Sequence, residues 1–127
     1  MQQMIAVGLG GAAGALARYA LTGAVYRKYP ELLPFPFGTL VVNVLGCLVI
    51  GILMTLVAEQ DLLSENVKLL LITGFLGSLT TFSTFGYETL QLLADNNLRF
   101  AFWNVAANIC CGFAAVFSGH WLTKLLL

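Results

Sequence analysis

The sequence predicts an all-α integral membrane protein: four transmembrane helices in a single domain of residues 1–127. Three observations carry that expectation. The 127 residues are 59% hydrophobic and only 9% charged, whereas an ordinary soluble domain is about 25% charged. So little polar surface cannot clothe a water-soluble globule. Four apolar runs reach the ~20 residues that a helix needs to cross a bilayer. Polar or breaker-rich connections separate the runs. Formal net charge is zero, which leaves no basic face for nucleic acid and no charged sheath for a peripheral membrane surface. The expected surroundings are therefore membrane lipid.

The first span covers about residues 4–25. It lacks the basic n-region of a signal peptide, and its Ala/Gly run continues to Arg18 without a clear stop, so it reads as a mature span. Gly10 and Gly14 stand one turn apart and form a small face for close helix packing. Arg18 lies inside the run. It either snorkels to the span's end or lines a water-filled vestibule. The connection "YRKYPELLPFP" holds all three prolines and ends the helix. The second span covers about residues 37–58. Thr39, Asn43 and Cys47 follow at intervals of four and share one mildly polar face. An interhelical hydrogen bond that only glues helices is the plain explanation for Asn43.

The connection "EQDLLSEN" carries three acids, and "ADNNLR" has the composition of a turn. Between them lies the third span, about residues 67–93; the fourth covers about residues 100–122. Asn104 and Asn108 repeat the polar face there, with Gly112 one turn further on. Cys47, Cys110 and Cys111 sit in apolar runs. Their odd number and adjacent pair fit neither a disulfide framework nor a metal site, so they read as small packing residues. His120 stands alone near the C-terminus and reads as interfacial.

The third span is the unusual one. Its middle, "GFLGSLTTFSTFG", combines three glycines, three phenylalanines and five hydroxyl residues without a charge. Gly74, Gly77 and Gly86 weaken a helix, as does the β-branched pair Thr80–Thr81. Non-helical backbone survives at membrane depth only where protein buries it or water lines it. The expectation is two half-helices joined by an unwound segment around Gly77 to Thr80. The carbonyls freed there, with the helix-end dipoles, suit a hard cation such as Na⁺. Phe82 and Phe85 lie three apart and share a face. Lipid-facing packing explains such a pair, but a phenyl edge is electropositive. Two edges alternating with Ser83 and Thr84 hydroxyls suit a small anion stripped of water. Glu88 is the deepest acid and the single candidate for proton coupling.

With an even number of spans, both termini share one side. Lys68 and Lys124 then face Arg27, Lys28 and Arg99, with Arg18 just inside the membrane on the latter side: 2 basic residues against 3 or 4. Orientation follows such biases, and this one is nearly absent. Either the weak bias suffices, or the chain inserts both ways and forms an antiparallel homodimer.

Three segments carry a resemblance. "GFLGSLTTFSTF", "GTLVVNVLG" from Gly38 and "GGAAGALARY" from Gly10 are similar to the Fluc (CrcB) family of fluoride channels, over nearly the whole chain. The resemblance implies a dual-topology antiparallel homodimer in the bacterial inner membrane, with two pores that export fluoride passively from the cytoplasm. It implies Phe82 and Phe85 as pore phenylalanines, Asn43 as a donor to fluoride, Arg18 as the vestibule cation and Thr39 as a lesser contributor. Ser83 and Thr84 would belong to a polar track, with Glu88 near its exit. Carbonyls of Gly77 and Thr80 from both subunits would hold one structural Na⁺. The chain departs from the family pattern at Gly112 and Val116, where hydroxyl residues are expected, so the track would run through Asn108 or through water beside Gly112. The alternative from another class is a small multidrug-type, proton-coupled antiporter. It needs an acid in its first span, and none stands between Met1 and Tyr26. No nucleophile, metal-ligand set or phosphate loop points to an enzyme.

Overall fold

Helix α1 runs Gln2–Lys28, ending in Arg27 and Lys28, whose charges complement the negative end of the helix dipole. A computed structural model describes residues 1–60 and 63–127; Asp61, one acid of the second connection, lies outside the described residues. A short 3₁₀ turn, Pro30–Leu32, leads to α2, Phe37–Gln60. Here Phe35 is buried, its ring centroid 4.6 Å from Phe37 and 6.0 Å from Phe100, closing this end of the bundle. Among the described residues, four helical stretches are long and apolar enough to cross a membrane, and there is no strand. They run past the apolar runs of the sequence, because charged and amide residues continue a helix readily once it reaches the interface.

The third stretch, Glu65–Ala94, is irregular. It begins as α3, Glu65–Lys68, and continues as a π-helical segment, Leu69–Leu76. One α-helical turn follows, α4, Gly77–Leu79. Thr80 (φ −81°, ψ 155°) and Thr81 (φ −151°, ψ 116°) are extended, and α5 then runs Phe82–Ala94. The sequence suggests unwinding from Gly77 onward, yet Gly77 keeps right-handed helical dihedrals (φ −62°, ψ −28°). The extended residues are the two threonines. β-Branched side chains favour extended backbone, and Thr81 is an N-cap whose Oγ1 accepts the Thr84 N–H at 3.2 Å.

A tight turn joins α5 to α6, Leu98–Leu126. Asn96 takes the left-handed conformation (φ 58°), while its N–H reaches Leu93 O at 3.1 Å and the Asn97 N–H reaches Leu92 O at 2.8 Å. That is a Schellman closure, with Asn in the place glycine usually holds.

Two close helix contacts build the bundle. On one side α1 lies against the π-helical segment, where a Cβ on Gly10 would overlap the Leu70 carbonyl and one on Gly14 the Phe75 carbonyl. On the other side α2 lies against α6, and Gly51 and Gly119 play the same part against Val116 and Leu48. Glycine at these positions lets backbones touch, which is how helices associate in lipid, where apolar burial offers little drive. The outer surfaces carry Leu9, Leu16, Phe113, Phe117 and Trp121, all exposed.

Candidate functional site

The site grows from the two extended threonines. Once Thr81 leaves the helix, its backbone groups need new partners. Asn43 on α2 supplies both: its Oδ1 accepts the Thr81 N–H at 2.8 Å, and its Nδ2 donates to the Thr81 carbonyl at 3.3 Å. The second Nδ2 hydrogen goes to Asn108 Oδ1 on α6 at 2.9 Å. One side chain thus pins α2, the α4–α5 junction and α6 together. Thr81 is 7% exposed.

Among the carbonyls that this break leaves without i+4 donors are two whose donors can be followed. A continuous α-helix would send the Thr81 N–H to Gly77 O and the Thr84 N–H to Thr80 O. Here those N–H groups go to Asn43 Oδ1 and Thr81 Oγ1. Gly77 and Thr80 therefore keep neutral carbonyl oxygens without their usual donors. The Thr80 hydroxyl is spent on Leu76 O at 2.9 Å.

Beside the clamp opens a concavity of about 410 Å³. Asn43, Gly77, Thr80, Thr81 and Asn108 border it, and so do both phenylalanines. The Phe82 and Phe85 ring centroids stand 5.5 Å apart, with their planes tilted by 52°. Phe82 is 84% exposed. A second concavity, of about 480 Å³, lies on the other side of Thr81. Arg18, Thr39, Thr84 and Glu88 line it, together with Tyr26 and Arg27. Thr81 borders both.

The hydroxyl network is directional. The Thr81 O–H donates to Thr84 Oγ1 at 2.9 Å, which leaves the Thr84 hydrogen available, and Ser83 Oγ lies 3.3 Å from Thr81 Oγ1. The Thr39 O–H donates to Glu88 Oε1 at 2.8 Å. Glu88 Oε2 is buried, with no partner among the described residues. Asn43 has no hydrogen left over, since both Nδ2 bonds are in use.

Most of the residues singled out in the sequence thus fall into two groups: Asn43, Asn108, Phe82, Phe85, Gly77 and Thr80 around the first concavity, and Arg18, Thr39, Thr84 and Glu88 around the second; Ser83, also singled out, is exposed and lines neither. Two residues of this network stand out in the sequence as β-branched or polar, but not as part of the site. Thr81 is one; its signal is a threonine three residues before another hydroxyl residue at a helix start. Asn104 is the other, fully buried, with its amide on Thr89. Elsewhere, Cys110 and Cys111 lie exposed on α6 rather than in packing, because they fall on its outer face. His120 Nδ1 pairs with Thr55 Oγ1 at 2.8 Å.

The pattern that defines the family described as "CrcB-like protein, Camphor Resistance (CrcB)" matches residues 5–120. The chain belongs to the CrcB family. Curated CrcB relatives are similar along almost their whole length. A protein of Campylobacter fetus subsp. fetus (strain 82-40) is 43% identical over 120 residues, covering 94% of this chain and 92% of its own. One of Dehalococcoides mccartyi (strain CBDB1) is 41% identical over 126 residues, covering 99% and 95%. One of Hydrogenovibrio crunogenus is 42% identical over 122 residues, covering 96% and 91%. All three carry the name "Fluoride-specific ion channel FluC". The antiporter reading finds no support among these CrcB relatives.

Proposed function

We propose that this chain is a fluoride-selective ion channel, not an enzyme, that lets F⁻ leave the cytoplasm passively. The observation that carries the reading is the Phe82–Phe85 ring pair, Phe82 exposed and Phe85 half-buried, beside the hydrogen-bonded junction of Asn43, Thr81 and Asn108. Its location is the bacterial inner membrane, consistent with four apolar helices and bacterial relatives. The test is F⁻ release from liposomes holding the purified protein: release without a proton gradient and far faster than Cl⁻ release is expected, and equal release of the two anions would overturn the reading.

Moving a bare anion into an apolar medium costs tens of kcal/mol in the Born limit, so the path must replace water step by step. Ring edges of Phe82 and Phe85 offer positive potential without a fixed charge that would trap the ion. The Thr84 hydroxyl offers a hydrogen, and Ser83 offers its own by giving up the 3.3 Å contact with Thr81 Oγ1. Asn43 reaches the ion by giving up its longest bond, the 3.3 Å contact to the Thr81 carbonyl. Asn108 continues the polar surface in the region where Gly112 brings no hydroxyl. Arg18 draws the anion into the second concavity, and Thr39 holds the Glu88 carboxyl aside at the exit.

Two copies assemble in antiparallel orientation. The near-even Lys/Arg balance supports dual insertion. The Phe82 ring, widely exposed in one chain, calls for a second wall, and each dimer then has two pores. The third span works as two half-helices meeting at Thr80–Thr81. The Gly77 and Thr80 carbonyls freed there fit a hard monovalent cation. One chain brings two such oxygens, so a Na⁺ shared at the dimer centre would draw on both copies. A Na⁺ held by the Gly77 and Thr80 carbonyls would supply structural charge neutralisation; the chain's own residues handle the anion.

A further inference from the structure

The α6 residue Asn104 is 0% exposed and touches neither concavity, yet its amide sits inside a chain of hydrogen bonds that ends at the candidate pore. The direction of every bond in that chain follows from backbone groups, whose donor and acceptor roles are not in doubt. The Thr81 N–H can only donate, so Asn43 must turn Oδ1 toward it and Nδ2 toward Asn108. Asn108 must then present Oδ1 to Asn43 and send Nδ2 to Asn104, where it meets the backbone carbonyl and Oδ1, both at 3.0 Å. A backbone carbonyl can only accept, which agrees. Asn104 is left with one arrangement: Oδ1 toward Asn108 and Nδ2 toward Thr89 Oγ1 at 2.9 Å. The Thr89 hydroxyl passes its own hydrogen to the Phe85 carbonyl at 2.8 Å.

The relay therefore runs in one sense, from the Phe85 carbonyl through Thr89, Asn104, Asn108 and Asn43 to the Thr81 backbone. It joins the turn that carries Phe85 to the residue that precedes Phe82. We infer that Asn104 and Thr89 are positioning residues: they reinforce the orientation that the backbone groups set for the Asn108 and Asn43 amides, and through them hold the extended backbone at Thr81. Neither residue touches the ion. Without the Asn104 side chain, Asn108 loses one of the two acceptors of its Nδ2 and keeps only the backbone carbonyl of residue 104. An Asn108 turned by half a rotation would present Nδ2 to the Nδ2 of Asn43, and the clamp on Thr81 would open. This inference rests on the proposed fluoride conduction for its functional meaning, but not for its geometry.

The experiment separates the two. Thr89→Val removes the oxygen that receives the Asn104 amide while keeping the side chain's shape, and Thr89→Ser restores it. Asn104→Leu removes the link itself. Two quantities are read on the full chain in micelles and liposomes: hydrogen exchange at the Thr81 N–H by nuclear magnetic resonance, and fluoride efflux per folded protein. Thr89→Val should speed Thr81 exchange by about fivefold, the weight of one hydrogen bond, and Asn104→Leu by more than that. Amides in the middle of α2, such as Ile50, should not change. Fluoride efflux should fall in step for Val and return with Ser. If Thr81 exchange and efflux in Thr89→Val both match wild type, the relay positions nothing and the inference is overturned. If Val and Ser lose efflux equally, the residue acts by packing and the inference is likewise overturned. Failure of wild type to release fluoride would overturn the channel reading instead, while Thr81 exchange would still decide the relay.

Discussion

Replacing Asn43 by leucine tests the clamp at the centre of the site. Leucine is close to asparagine in volume, so α2 and its packing should survive. Three hydrogen bonds disappear, two at 2.8 and 2.9 Å and one at 3.3 Å. The three lost partners do not fare alike. The Thr81 carbonyl and Asn108 Oδ1 border an open concavity, where water can take over. The Thr81 N–H belongs to a residue that is 7% exposed, and it loses its acceptor. A buried donor left unpaired costs about 1–3 kcal/mol, and each exchanged bond adds a few tenths. The expected loss is therefore on the order of 2 kcal/mol, or roughly 30-fold in the folded-to-unfolded ratio. Equilibrium unfolding in mixed micelles, followed by the fluorescence of Trp103 and Trp121, measures it. Wild-type stability in Asn43→Leu, within about 0.5 kcal/mol, would mean that the Thr81 backbone finds equal partners elsewhere and that the clamp argument is wrong.

Other outcomes follow from the same geometry. Phe82→Ile and Phe85→Ile keep an apolar side chain but lose the electropositive edge, so F⁻ flux per folded dimer should fall more than about tenfold, whereas a packing role would cost under about 1.5 kcal/mol of stability and little flux. Gel filtration scored beside the flux separates these. Two or three lysines added at one end should bias insertion and lower activity when the variant is expressed alone; co-expression with an oppositely biased copy should restore it, and full activity from one fixed orientation would rule out the antiparallel pair. Replacing Na⁺ thoroughly by a large organic cation should weaken the dimer, with recovery on return of Na⁺, because a ligand bound only to the assembled state stabilises it by mass action. Unchanged dimer stability would remove the shared ion.

The four spans are legible in the sequence because each is a long apolar run, and lipid leaves few other ways to satisfy a backbone. The polar faces are legible for a similar reason: Asn43 and Asn108 stand out in apolar helices, and i,i+4 spacing assigns Thr39 and Cys47 to the side of α2 that bears Asn43. Composition does not resolve where backbone leaves the helix. Glycine signals freedom without direction, so Gly77 looks like the natural break, yet the threonines carry it, because the cap at Thr81 and the Asn43 amide stabilise the extended form there. Asn104 is visible as a polar residue, but its part in the network is not, since a buried amide acts through its partners on other helices, and those are set by tertiary packing. The π-helical winding of Leu69–Leu76 is equally silent in the sequence. It appears where Gly74 lets the chain press against Val7 and Gly10 of α1.

The most direct measurement is anion release from liposomes that hold the purified protein, followed with a fluoride electrode under a potential set by K⁺ and valinomycin. The account predicts rapid F⁻ release that needs no proton gradient, with Cl⁻ release far slower under the same potential. Equal release of F⁻ and Cl⁻, or F⁻ release only when a proton gradient is imposed, would contradict it.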